Sequence, residues 1–132
     1  MQFDFAPDIH QQIKKIVPKL QLSHIDPEKI ICFRSQGSKA RALARIWSLP
    51  RIWQLALKLT PYYCIEVLSE KFDKLNHNQQ TKVLIHELLH IPKNFSGALL
   101  PHYGRGKVKI NQRTVDQLFR KIKKHDFFAP WQ

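Results

Sequence analysis

Ile9, Ile13, Ile16, Val17 and Leu20 recur at helical spacing, and Lys14, Lys15 and Lys19 lie on the opposite side. Residues 8–20 are therefore predicted to form an amphipathic helix, with Asp8 as its cap and an end near Pro18. After the Asp26-Pro27 turn, the run Ile30-Ile-Cys-Phe33 reads as a short buried strand. A polar, basic turn over 34–41 follows, and 43–49 alternates well enough for a second strand before Pro50. In 51–59 the side formed by Ile52, Trp53, Leu55, Ala56 and Leu59 fits a short helix almost as well as a buried strand, and the segment is read as helix. Residues 62–68, aromatic and β-branched with Glu66 as the single charge, make the strongest strand pattern in the chain.

A helix is predicted to start in 76–80, continue through Thr81-Lys-Val-Leu-Ile-His-Glu-Leu-Leu-His-Ile91 and stop at Pro92. It is apolar on most sides and so belongs in the core. Residues 93–109 hold three of the four glycines without a clear period and read as an ordered loop. The last helix, 112 to about 124, buries Val115, Leu118, Phe119 and Ile122 and shows Arg113, Arg120, Lys121, Lys123 and Lys124 to solvent. Phe127, Phe128 and Trp131 are expected to fold the tail back. The fold class expected is α+β: one domain over 1–132, with a small three- to four-stranded mixed or antiparallel sheet packed on the 76–91 helix between N- and C-terminal helices.

With 132 residues and 43% hydrophobic composition the chain can bury one core. No run approaches the roughly 20 apolar residues of a membrane span, and the start lacks a secretory pattern, so the expected location is the cytoplasm. Cys32 and Cys64 fit neither a disulfide framework nor a Cys-x-x-Cys knuckle and read as buried reduced thiols. Twenty-two Lys and Arg against ten Asp and Glu give a formal charge of +12. A field of that sign attracts polyanions, which makes nucleic acid a partner class for the basic surface.

His86-Glu87-Leu88-Leu89-His90 changes the picture most. Residues four apart on a helix share a face, so both imidazoles reach one Zn²⁺ at about 2.0–2.1 Å. Glu87, rotated by about 100°, lies beside the metal without ligating it and is placed as general base for the zinc-activated water. A catalytic site takes a third protein ligand and leaves the fourth position open. Glu87 is the last glutamate in the chain, which excludes a downstream Glu ligand. The extended His-Glu-x-x-His-x-x-Gly-x-x-His pattern is excluded by Lys93 and Ser96. His102, His125, Asp116 and Asp126 remain. His102 is favoured, because Ser96-Gly97 and Gly104 let the loop turn back and Pro101 restrains its neighbour. Tyr103, Arg105 and Tyr63 are candidates for stabilising the oxyanion or contacting substrate.

The zinc pentapeptide with Ile91-Pro-Lys93, Phe95-Ser-Gly-Ala-Leu99 and Pro101-His102 resembles phage-type metallopeptidases of prokaryotes and their viruses. So do Cys32-Phe-Arg-Ser-Gln-Gly-Ser-Lys39, Trp47-Ser-Leu-Pro-Arg-Ile-Trp53 and Ile65-Glu-Val-Leu-Ser-Glu-Lys-Phe72. The resemblance spans about residues 25–105 and implies a minimal zincin-like domain with one zinc. More distantly, His86, Glu87, His90 and His102 in a basic domain resemble SprT-like zinc proteases, without the Cys-rich ribbon of their larger members.

Two functional classes follow. One is a zinc-dependent peptidase acting on protein or peptide, with extended substrate laid along an edge strand. The other is a catalytically weak or inactive zinc-containing module that docks on nucleic acid, or on a phage or cellular protein, through its basic surface. Glu87 favours the first, since a purely structural site gains nothing from a buried carboxylate that does not ligate.

Overall fold

The computed structural model describes residues 1–102 and 109–128, with 125–128 as backbone alone. In chain order the elements are β1 (Gln2–Phe5), α1 (Pro7–Lys19), β2 (Ile30–Gln36), β3 (Ala44–Ser48), α2 (Arg51–Leu57), β4 (Tyr63–Leu68), α3 (Ser69–Phe72), α4 (His77–Leu88) and α5 (Gln112–Phe128). A short 3₁₀ turn, Pro27–Lys29, leads into β2. The four strands form one mixed sheet in the order β1-β2-β4-β3. β2 and β4 are parallel, and the outer pairs are antiparallel. This is the expected α+β class, with the sheet mixed and four-stranded.

Strand alternation gives the sheet two different faces. Ile30, Cys32, Tyr63, Ile65 and Val67 point to one face and enter the core with Ile9, Ile13, Ile16 and Val17 of α1, Leu84, Ile85 and Leu88 of α4, and Val115 and Ile122 of α5. Each aliphatic side chain fully buried there contributes about 1.5–3 kcal/mol. The other face carries Phe3, Phe5, Ile31, Phe33, Cys64, Glu66, Arg45 and Trp47 by register. Cys32 and Cys64 are free thiols; Cys32 is buried as expected, which pushes it up to about 12, whereas Cys64, on the open face, is only half-buried.

Several expectations are corrected. β1 is an added edge strand whose residues are all exposed, so no burial pattern announced it. β2 runs three residues past Phe33, because Arg34, Ser35 and Gln36 have ladder partners in β1, and Arg34 and Ser35 also in β4. Asp8 does not cap α1: Ala6 is the cap residue, Pro7 begins the helix, and the Asp8 carboxylate takes two hydrogen bonds from the Arg34 guanidinium, at 2.5 and 2.7 Å. The α2 helix is inverted relative to its reading. Ile52, Trp53, Leu55 and Leu59 are exposed, and Gln54 is the buried residue. α3 was not anticipated, and α5 runs beyond 124. The fold-back of Phe127, Phe128 and Trp131 lies outside the described side chains.

Candidate metal centre

α4 is started by a capping box. The Asn76 side chain accepts from the Gln79 N–H at 2.9 Å, and the Gln79 side chain accepts from the Asn76 N–H at 3.0 Å. Leu84, Ile85 and Leu88 anchor the second half of the helix in the core. That fixes the orientation of the neighbouring stripe carrying Val83, His86, Glu87 and His90, which lines a cleft facing β3. Regular helix ends at Leu88 instead of the expected 91. The last turn tightens, with the His90 N–H bonded to the Glu87 carbonyl and the Ile91 N–H to that of Leu88, both at 3.1 Å. His90 sits in this tight turn, and its ring still lies 5.3 Å from that of His86, centroid to centroid.

The loop after Pro92 is tied back onto the fold at several points before it delivers His102. The Gln54 amide donates to the Ser96 carbonyl at 2.9 Å and to that of Leu49 at 2.8 Å. The Tyr63 hydroxyl accepts from the Gly97 N–H at 2.9 Å and donates to the Ala98 carbonyl at 2.8 Å. Gly97 has φ +92°, and a Cβ there would run into the Gln54 amide and the Leu49 carbonyl, so the tight approach excludes any side chain. Leu100 and His90 then hold each other twice. The Leu100 N–H donates to the His90 carbonyl at 2.7 Å, and His90 Nδ1 donates to the Leu100 carbonyl at 2.5 Å.

The second of those bonds fixes the His90 tautomer and leaves Nε2 as the free lone pair, the role of an outer-shell partner in metal sites. The rings of His86, His90 and His102 converge. His86 Nε2 and His102 Nε2 are 2.9 Å apart, and one ligand atom from each of the three lies within 4.8 Å of the others. Two nitrogens on a tetrahedral ion at 2.0–2.1 Å are about 3.4 Å apart, between the 2.9 Å of that pair and the 4.8 Å that bounds all three. This group can hold a metal.

The electrostatics suit a cation. Burial, with His90 and His102 as neighbours, pushes His86 down to about 4. Burial also lowers His90, against the bond to Leu100. Both rings are thus neutral at pH 7 and ready to ligate. Glu87 is 7% exposed and has no hydrogen-bond partner among the described residues. Burial alone pushes its carboxyl up to about 7, so a neighbouring positive charge would strongly favour its ionised form.

The cleft occupies about 920 Å³ and is walled by 42–47 on one side and by Leu75 with Gln79, Lys82 and Val83 of α4 on the other. Of the remaining candidates, Asp116 is occupied elsewhere, accepting from Lys82 at 3.1 Å and from Gln112 at 2.9 Å. The Tyr63 hydroxyl is committed to the loop, as given above. The side chains of His125 and Asp126, and Tyr103 and Arg105 entirely, lie outside the described residues. Sequence reasoning missed Gln54 and the pair Arg45 and Trp47. A lone amide in an apolar helix was the only signal for the first. The others were quoted only within a resemblance or not at all, and they meet Glu66 only through the β3–β4 register: Arg45 donates to it at 3.1 Å and Trp47 Nε1 at 2.9 Å.

Neither a curated protein nor a solved structure matches the chain. The model of one family, described as "Putative phage metallopeptidase", matches residues 1–130. With three imidazoles gathered beside a buried carboxylate and a match running nearly end to end, the chain belongs to that metallopeptidase family.

Proposed function

We propose that the protein is a zinc-dependent endopeptidase in which His86, His90 and His102 hold the ion and Glu87 is the general base. The observation that carries this is the placement of a buried Glu87, unpartnered among the described residues, next to three convergent imidazoles at an open cleft. Three nitrogen donors with room for one more partner are the donor set of a catalytic zinc site. A zinc ion bound there supplies Lewis acidity and makes water acidic enough to be deprotonated near neutral pH.

Glu87 then accepts the proton of the attacking water and returns it to the leaving amine. β3 is the end strand of the sheet, so an extended polypeptide can add to its free edge and pass over the metal end of the cleft. The bonds from Arg45 and Trp47 to Glu66 hold that edge in register. Tyr63 acts as a positioning residue for the loop bearing His102, which leaves Tyr103 and Arg105 as the residues that would stabilise the oxyanion.

The test is cleavage of an unfolded protein by the zinc-loaded chain, read by mass spectrometry beside Glu87→Gln. Cleavage lost in Glu87→Gln with zinc retained supports the proposal. Equal cleavage by both, or none by a fully loaded wild type across varied unfolded substrates, contradicts it.

A further inference from the structure

The face of the sheet turned away from α1, α4 and α5 carries a row set by register: Phe5, Phe33, Glu66 and Arg45. Phe3 lies one step to one side of that row, and Ile31, Cys64 and Trp47 lie to the other. Phe3, Phe5 and Trp47 are 51%, 74% and 52% exposed. Phe33 is half-buried and stacks on Phe5, with centroids 4.9 Å apart and planes at 27°. Ser35 and Leu68 at one end of this face are buried, whereas the rings of Phe3, Phe5 and Trp47 are open. Aromatic rings left open on both edge strands of one sheet face, with the half-buried Phe33 between them, mark a contact surface.

The charge on the face selects the partner. Glu66 is its only carboxylate and is buried, its charge taken up by Ser35, Arg45 and Trp47. By strand alternation Asp4 belongs to the opposite face, beside Arg34. The Arg45 guanidinium lies 5.6 Å from the Trp47 ring centre. The β2–β3 connection leaves from the end of the sheet where Phe3 pairs with Ser35, and it carries Lys39 and Arg41. Lys71 is bonded to the Ala40 carbonyl there; of the acids at that end, Glu70 accepts the Gly37 N–H and Asp73 is held by Arg34 and Ser69. In a chain of formal charge +12, two such faces repel each other, whereas a polyanion with flat apolar groups is attracted.

We propose that this face binds single-stranded nucleic acid, with bases stacked on Phe3, Phe5 and Trp47 and phosphates on Lys39, Arg41 and Arg45. Phe3 and Phe5 are about 7 Å apart along β1, and β1 to β3 spans about 14 Å. That is room for two or three bases, the number an open four-stranded sheet accommodates. Trp47 is held by Glu66 before any ligand arrives, which reduces the ordering cost of stacking. A duplex keeps its bases stacked internally and cannot use the rings. The inference does not depend on the metal centre or on peptidase activity.

The test is fluorescence anisotropy of the full chain with labelled oligonucleotides of about 12 nucleotides, oligo-dT and oligo-U, and with a duplex of equal length. Binding of either single strand is expected to be tighter than that of the duplex and to weaken with salt. The double variant Phe3→Leu/Phe5→Leu keeps an apolar surface without rings and is expected to lose roughly tenfold or more in affinity, with the salt slope unchanged. Lys39→Glu/Arg41→Glu is expected to reduce that slope by about one to two. Unchanged circular dichroism and metal content show that the variants are folded. The ratio of oligo-dT to oligo-U identifies DNA or RNA as the preferred strand. Absence of single-strand binding, a preference for duplex, or equal binding by Phe3→Leu/Phe5→Leu would overturn the proposal, as would self-association through this face.

Discussion

Glu87 illustrates how position sets chemistry at a single residue. A buried carboxylate with no donor among the described residues is unfavourable as an anion, and its pKa moves up to about 7. A satisfied structural glutamate would look like Glu66, which collects three donors and is held below its usual range. Glu87→Gln should therefore leave zinc content and fold intact while lowering peptide hydrolysis by about 10²–10⁴-fold; metal analysis and a peptidase assay on one preparation check both halves. Tyr63→Phe is a contrasting case. It strips the partner from the buried Gly97 N–H and from the Ala98 carbonyl, and should cost about 1–3 kcal/mol in denaturant unfolding. It should also weaken zinc retention, because the loop it ties down carries His102. At this scale the i, i+4 spacing of His86 and His90 was legible because a helix turn is local. The Pro and Gly residues around His102 made it the favoured partner, and the structure places its ring beside the other two. The commitment of the Tyr63 hydroxyl to a loop 34 residues away was not legible, since it depends on tertiary placement.

Elements were legible where burial is one-sided. α1, β4 and α5 each have an apolar face against the core and were read near their true bounds. β1 escaped because it is exposed on both faces, and α2 was read inside out because it turns Gln54 inward to hold the loop. α4 was read too long, because His90 continues the apolar pattern through a turn that is no longer α-helical. Two predictions belong here. Gly97→Ala faces both a positive φ and a clash, whereas Gly37→Ala faces a positive φ with only ordinary contact to Met1. The first should destabilise by about 1–3 kcal/mol more than the second, measured by thermal unfolding. Glu66 binds the β3 edge to β4. Although its burial opposes ionisation, bonds from Ser35, Arg45 and Trp47 depress its folded-state pKa. Its contribution is thus complete above the ordinary glutamate range and is lost as pH falls through the depressed value. Denaturation midpoints followed from neutral pH down to about pH 3 should drop less for Glu66→Gln than for the wild type.

For the whole molecule, one sheet separates two surfaces. The helical side builds the core, the open side carries aromatic rings, and at the β3 edge Arg45 and Trp47 of the open side also line the metal cleft. Among the described residues no helix is long and apolar enough to cross a membrane. The charge of +12 is a property of the whole chain and gives no information about the cleft, so it pointed to a class of partner without locating a surface. The account as a whole rests on the three histidines acting as one metal site, and the most direct test is the zinc bound per chain in protein purified without added metal. The wild type should hold one ion, and His102→Ala should lose it while His125→Ala keeps it. Retention in His102→Ala with loss in His125→Ala would contradict the assignment of the third ligand, and a wild type that holds no zinc would contradict the metal centre itself.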